Sequence, residues 1–486
     1  MNNSSLKKRL LSVAMAAVMV FSLLPATAWA AMAENLPAAS GQIRTEQKRG
    51  GSDTYTVTRD VKSVAAAQTG AVKKVTCLDL TTGENQVSLD ANGGYQWVAG
   101  ENYLYLYKVQ IEAEGSNALI LTAGTTVKVV GECSITGGGA NECAVWSKGD
   151  VTVGLGQDAT LTVNGLGWRA EGNLTVAHAY DAYTGGELTV NYYGTSSDNG
   201  TSGAAIYMGG NTLRVEQGAR VTANGSGIGN VKAKDSCGVK GAVYVDGGAE
   251  LVADGGSAGS AGISCGIFGD VTVKNGTVTA TGGSGLQSYG VSGNSVSVSD
   301  GGVLNANGGT AVQDLNSSIK PISGGIYLGN NAVIENATVN ASGGVAPCGD
   351  SFASVGLQMT SRSEVRVNSG GVLNANGGQL TNGSSANETN GFSAGINMMD
   401  ASEANLFVNG TGRVTTIGNP ERLDGGTVIS YGVNHTDMGE LTIELSGVAS
   451  FKAAGGTAAS RAAFTPDTVS IKGSEAYRDF DNAIVI

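Results

Sequence analysis

Aromatic side chains recur at one place in a repeating pattern. Trp146, Tyr207, Tyr244, Phe268 and Tyr327 each follow an aliphatic residue (Val145, Ile206, Val243, Ile267 and Ile326), and Arg169 stands in the same place after Trp168. If the aliphatic residues point inward, strand alternation turns their successors outward. An outward row of rings can stack on the flat apolar faces of sugars while its hydroxyls bond their polar edges. The expected ligand-binding row is therefore Trp146, Arg169, Tyr207, Tyr244, Phe268 and Tyr327. The competing expectation is that these rings stack on one another beneath loops and merely shield surface. Trp168 is read as an inward replacement for isoleucine.

Other groupings offer less. Lys148, Asp150, Arg169 and Glu171 lie in neighbouring repeats and are the nearest thing to a lyase constellation, which needs carboxylates for calcium and a basic side chain. Here they read as surface charge. The two histidines, His178 and His435, are far apart, so no histidine triad or histidine metal cluster is expected. No carboxylate doublet of the glycosidase kind falls on the row. Catalytic residues and cofactors are thus expected to be none, with calcium the one candidate ion. It would bind only if the Asp and Asn residues at the turns (Asp150, Asn173, Asn211, Asp246, Asp270, Asn294, Asn331) converged; as spaced, they serve turn backbone. Six cysteines, 77, 133, 143, 237, 265 and 348, fit no zinc spacing. Cys237 and Cys265 are about one repeat apart and could bridge, and Cys133 and Cys143 could also pair, against scattered buried thiols.

The elements that would hold the row are short strands. Gly301–Gly309 (GGVLNANGG) returns letter for letter at Gly370–Gly378, with a looser copy from Asn336 to Gly344. Ala223, Ala253, Ala280, Ala306, Ala341, Ala375, Thr416 and Ala453 mark successive copies 26 to 41 residues apart. A fixed core with elastic connections is the signature of a solenoid. Each coil reads as three strands: a first such as Ala205–Met208 or Ala242–Val245, a second such as Val151–Val153 or Val271–Val273, and a third such as Val221–Ala223 or Leu304–Ala306. The fold class expected is all-β: a single right-handed parallel β-helix, three short strands per coil, with terminal caps. About eleven coils at ~4.8 Å each would make a rod ~50 Å long. Long insertions fall at one corner, at 195–203, 224–241, 310–323, 345–356, 379–394 and 418–426, and overhang the first strands.

Composition sets the bounds. Glycine is 76 of 486 residues with only 6 prolines and no triplet period, so the chain is neither collagenous nor, at 41% hydrophobic, disordered. Residues 1–30 read as a secretory signal: Lys7, Lys8 and Arg9, an apolar run from Leu10 to Leu24, then Ala28-Trp29-Ala30. Cleavage removes three cations and takes the net charge from −12 to −15. That argues against nucleic acid, anionic membranes and polyuronates as electrostatic partners. Residues 31–50 read as a flexible linker, 51–116 as an N-terminal cap with a short helix over Asp60–Gln68 and a strand over Tyr103–Tyr107, 117–470 as the β-helix and 471–486 as a closing segment.

Runs such as Ala144–Val153 (AVWSKGDVTV) and Arg169–Val176 (RAEGNLTV) resemble secreted bacterial carbohydrate-binding proteins with the parallel β-helix of pectate lyases. The resemblance covers about residues 117–460 and rests on coil-building residues. It implies a monomeric extracellular or cell-surface protein whose partner is a plant or host polysaccharide, bound without catalysis and without membrane insertion. A stalk or adhesin with no glycan site is the alternative, and a polysaccharide lyase or glycoside hydrolase the second; fold likeness alone chooses among none of them.

Overall fold

The computed structural model describes residues 41–49, 53–61, 73–139, 142–180, 184–194, 203–225, 235–258, 262–313, 319–347, 352–360, 362–381, 391–398, 403–419, 429–435, 440–455, 460–464, 469–473 and 483–485. Within them the chain is almost wholly β, with two 3-10 turns, Leu80–Thr82 and Ala99–Glu101, and no α-helix. Val, Thr and Ile-rich segments a few residues long, cut by Gly, Asn and Asp, favour this outcome. Nearly all pairing is parallel, each strand with its counterpart one repeat later.

The strands fall into three columns. The third column is a sheet of fourteen strands from Lys73–Thr76 to Ala483–Val485. The first begins at Leu78–Asp79 and continues through Leu119–Leu121, Val145–Ser147 and Trp168–Ala170. The second begins at Tyr103–Tyr107 and continues through Thr125–Val130, Val151–Leu155 and Leu174–His178. Four long strands, Ala204–Glu216, Asp235–Asp246, Gln287–Ser299 and Ile322–Glu335, run through both the first and second columns. The first of them changes register between Tyr207 and Thr212, where it turns.

The repeat found in the sequence is the pairing register. Ala223, Ala253, Ala280, Ala306, Ala341, Ala375, Thr416 and Ala453 stand opposite one another on successive third-column strands. All eight are fully buried. They are small because first-column backbone lies directly against them. A methyl group on Gly266 would come within 2.5 Å of Thr281 N and 2.6 Å of Ala253 O. Glycine on one side and alanine on the other are what that approach allows. Leu, Val and Ile from all three columns fill the remaining interior as one cluster.

Several sequence expectations need correction. Parallel pairing starts at Lys73, inside the segment read as a cap, because Lys73–Thr76 already matches Val109–Glu112. Gln86–Asp90, Gly93–Val98 and Tyr103–Tyr107 form an antiparallel meander there; the last of these alternates buried and half-buried as expected. Gly41–Arg49, read as linker, is a strand paired antiparallel with Asp53–Val61. Asp60 and Val61 therefore end a strand and do not open a helix; the rest of Asp60–Gln68 lies outside the described residues, as does the signal segment 1–30. In the closing segment, Val469–Gly473 is still parallel, to Glu440–Gly447, and Ala483–Val485 turns antiparallel to Ser450–Ala454.

Candidate functional site

One row of first-column side chains carries Trp146, Arg169, Tyr207, Phe268 and Tyr327 of the expected row, half-buried, and continues into the buried Gln358, Asn397 and Asn434. Trp146, Arg169, Tyr207, Lys240, Phe268, Ser292, Tyr327, Gln358, Asn397 and Asn434 stand opposite one another on consecutive strands. Their aliphatic predecessors Val145, Ile206, Ile267 and Ile326 are buried, and so is Trp168, whose Nε1 donates to Ser147 Oγ at 2.7 Å. The inward–outward register is as expected. Trp146, Tyr207, Phe268 and Tyr327 are half-buried, less open than a bare outward row would be.

Tyr244 does not belong to the row. Residues 235–240, read from sequence as part of an insertion, form the first-column strand, and the chain turns at Gly241 (φ +141°), a conformation that favours glycine. Tyr244 therefore lies on the second column between Arg214 and Thr272. The Arg214 guanidinium sits 4.2 Å over its ring, and its hydroxyl donates to Asp246 Oδ2 at 2.7 Å, a bond that raises the phenol pKa. Lys240 takes the place assigned to it.

From Trp146 to Phe268 the row alternates ring and cation. Lys148 Nζ is 4.6 Å and Arg169 Cζ 5.7 Å from the Trp146 ring centre; Lys240 Nζ is 5.2 Å from that of Phe268. Arg169 pairs with Glu171 at 3.5 Å and Lys240 with Asp235 at 3.2 Å. Trp146 Nε1 is buried and has no acceptor among the described residues. Of the Lys148, Asp150, Arg169 and Glu171 group, Lys148 and Arg169 share the Trp146 ring and Glu171 pairs with Arg169, while Asp150 is engaged elsewhere. Asp150 Oδ1 instead accepts the backbone N–H of Asn173 at 2.7 Å, as Asp270 Oδ1 accepts those of Asn294 and Ser295. The turn carboxylates serve backbone, as their spacing suggested.

A second row runs beside the first: Ala204, Cys237, Cys265, Tyr289, Gly324, Val355, Ala394 and Tyr431. Most of it, with Ile322 and Ala353, forms an apolar cluster separate from the main core, and Tyr207, Phe268 and Tyr327 pack on it. Sequence reasoning missed Tyr289, which is 1% exposed. Its ring lies across Gly324, where a methyl group would come within 2.8 Å of Tyr289 Cδ1. The Tyr289 hydroxyl donates to Gln358 Oε1 at 3.2 Å, and its ring centre is 5.5 Å from that of Tyr327, tilted 52°. Cys237 and Cys265 are directly opposed as fully buried free thiols, and burial, then the contact with Cys237, raises the Cys265 pKa well above the usual range. Cys133 and Cys143 are also buried free thiols, with separate partners: Val130 O for the first, Asn117 Oδ1 for the second. Cys348 lies outside the described residues.

Next to the second row, on the side away from the first, runs a column of buried serines: Ser236, Ser264, Ser288, Ser323, Ser354, Ser393 and Ser430. Ser264, Ser288 and Ser323 each donate to a corner glycine carbonyl (Gly256, Gly283, Gly309) at 2.7 Å. Each also accepts the N–H of the corner glycine one strand on (Gly283, Gly309, Gly344) at 2.7 to 3.0 Å. The signal was present in the sequence as Ser-x-Gly followed by Val, Ile or Leu, seven times over. Three of the insertions expected at this corner begin with a further strand: Thr310–Ala311, Val345–Pro347 and Gln379–Thr381 join Ser284–Gly285 in a small parallel sheet. No protein-family model, curated protein or solved structure matches this chain.

Proposed function

We propose that this chain is a right-handed parallel β-helix of the secreted bacterial carbohydrate-binding kind, and that it binds a polysaccharide along the outer face of its first column without catalysis. The reading takes the three strand columns as the three sides of each coil, exported through the signal segment to the cell surface or beyond. One observation carries the binding role: rings of the same row, Trp146, Tyr207 and Phe268, recur on every second strand, about 9.6 Å apart, a spacing that suits an extended sugar chain lying along the row. The absence of catalysis rests on the carboxylates near the row, which are engaged with turn backbone or with Arg169 and Lys240.

A glycan array together with pull-down on insoluble polysaccharides tests this. Retention of the full chain on at least one glycan, with no release of reducing or unsaturated ends, is the expected result. Release of such ends would favour the lyase or hydrolase. Folded protein that binds nothing would favour a stalk or adhesin, a reading that the packing of Tyr207, Phe268 and Tyr327 on the second apolar cluster also supports.

A further inference from the structure

We infer that the occupant of this face is a linear acidic polysaccharide carrying one carboxylate or sulfate on every second sugar; the inference rests on the glycan-binding reading and names its substrate class. It comes from the order of side chains. On five consecutive strands the row reads Trp146, Arg169, Tyr207, Lys240, Phe268. Rings and cations thus each repeat at two strand spacings, about 9.6 Å, and are offset from each other by one, about 4.8 Å. Two sugar residues of an extended chain span about the longer of these lengths. A chain of alternating neutral and acidic sugars would then set an apolar ring face on each aromatic and an anionic group beside each cation, in step over the whole run. A neutral homopolymer would use the rings and leave the cations idle.

The cations are placed to exchange partners. The Arg169 side chain is 37% exposed and Glu171 42%, and their contact is 3.5 Å. Exposed pairs of this kind contribute little, so a ligand carboxylate that brings a second, bidentate contact can displace Glu171. Lys240 and Asp235 are each 22% exposed and paired at 3.2 Å, with the Lys240 ammonium over the Phe268 ring. A ligand anion on the open side of Lys240 would make one ammonium serve two acceptors, which its three donors allow.

The negative charge of the whole chain does not oppose this. Its field is screened beyond about 8 Å at physiological salt, whereas Arg169 and Lys240 act at contact distance. The sequence-level argument against polyuronates concerned steering over distance, and the row supplies the short-range complement that composition could not reveal.

The test compares one polysaccharide of alternating uronic acid and amino sugar with its carboxyl-reduced, neutral derivative. Binding of the full chain is measured by calorimetry at low and at physiological salt. The acidic form should bind about tenfold or more tightly than the neutral one, the effect of one well-placed charge pair, and the difference should shrink with salt. R169Q/K240Q should lose that preference and keep the weaker neutral binding. Y207A/F268A should weaken both forms alike. Equal affinity of the two forms, or a preference that survives in R169Q/K240Q, overturns the inference while leaving glycan binding standing. Failure of both forms and of every neutral glycan overturns the binding reading itself, and this one with it. Circular dichroism of each variant, matched to the parent, guards against misfolding.

Discussion

The buried serine column gives the most exacting test of the architecture. Ser288 donates to Gly283 O at 2.7 Å and accepts the N–H of Gly309 at 3.0 Å. Replacing it by alanine does not harm the two glycines equally. Gly283 O keeps the Thr310 N–H at 2.8 Å. Gly309 N–H has no other partner among the described residues. The cost is therefore one lost hydrogen bond, about 1 kcal/mol, plus the desolvation penalty of a sheltered N–H, about 1–3 kcal/mol. Ser288→Ala should destabilise by about 2–3 kcal/mol in urea unfolding, with an unchanged slope. Ser264 and Ser323 lie two strands apart, about 9.6 Å, so S264A/S323A should cost roughly the sum of the single changes. Ser297, half-buried on the outward side of the second column, is the control, and its alanine variant should stay within about 0.5 kcal/mol. If Ser288→Ala fell within that same narrow band, the hydroxyls would not be tying successive corners together, and the reading of the Ser-x-Gly repeat as a lock between first-column strands and corner glycines would be wrong.

Ile267→Ala should cost about 2–5 kcal/mol as an interior cavity, while Tyr207→Ala next to that layer should cost clearly less and weaken glycan retention; equal losses by thermal unfolding would mean that the register of the row is wrong. Gly395→Ala should fail to fold or unfold at much lower denaturant, because the new methyl group would fall on Thr416 Oγ1 and within 2.6 Å of Ala375 O. Burial raises the thiols of Cys133 and Cys143 from 9.0 to about 11, so the folded chain holds their protons more tightly than the unfolded chain. Stability should therefore be complete below about pH 9 and fall as pH rises toward 11, and C133A/C143A should flatten that slope in denaturation curves at pH 8 and pH 10.5. A thiol reagent at pH 8 should label exposed Cys77 in the native protein and reach Cys237 and Cys265 only after unfolding; rapid native labelling of either buried thiol would contradict the second apolar cluster.

Most of the strand architecture was legible because its causes are local. The alanine of Asn-Ala-Asn and the glycine pair after it recur because first-column backbone touches third-column backbone at every repeat, and only small residues fit there. Alternation of buried and half-buried residues in Tyr103–Tyr107 and from Ile326 to Gly329 follows from the pleat alone. Start points were less legible. Lys73–Thr76 and Leu78–Asp79 enter the parallel columns with no glycine pair beside them, so the repeat was invisible although the pairing is there.

The row itself was legible where a repeat was regular and lost where a strand was continuous. Asp235–Asp246 crosses two columns as one twelve-residue strand, so Ala242–Val245 looked like a first strand although the true one, Ser236–Lys240, precedes it. The Ser-Cys-Gly-Val that begins there would have fixed the register, because Ser-Cys-Gly-Ile, Ser-Tyr-Gly-Val and Ser-Ala-Gly-Ile occupy the same place on Ile263–Phe268, Gln287–Ser299 and Phe392–Met398. Aligning on serine in place of the aromatic exchanges Tyr244 for Lys240, and that exchange changes the chemistry. A row of rings alone would ask only for apolar sugar faces. A row in which Arg169 and Lys240 alternate with Trp146, Tyr207 and Phe268 asks in addition for an anion at a fixed interval, so the identity of one residue decides what the surface can select.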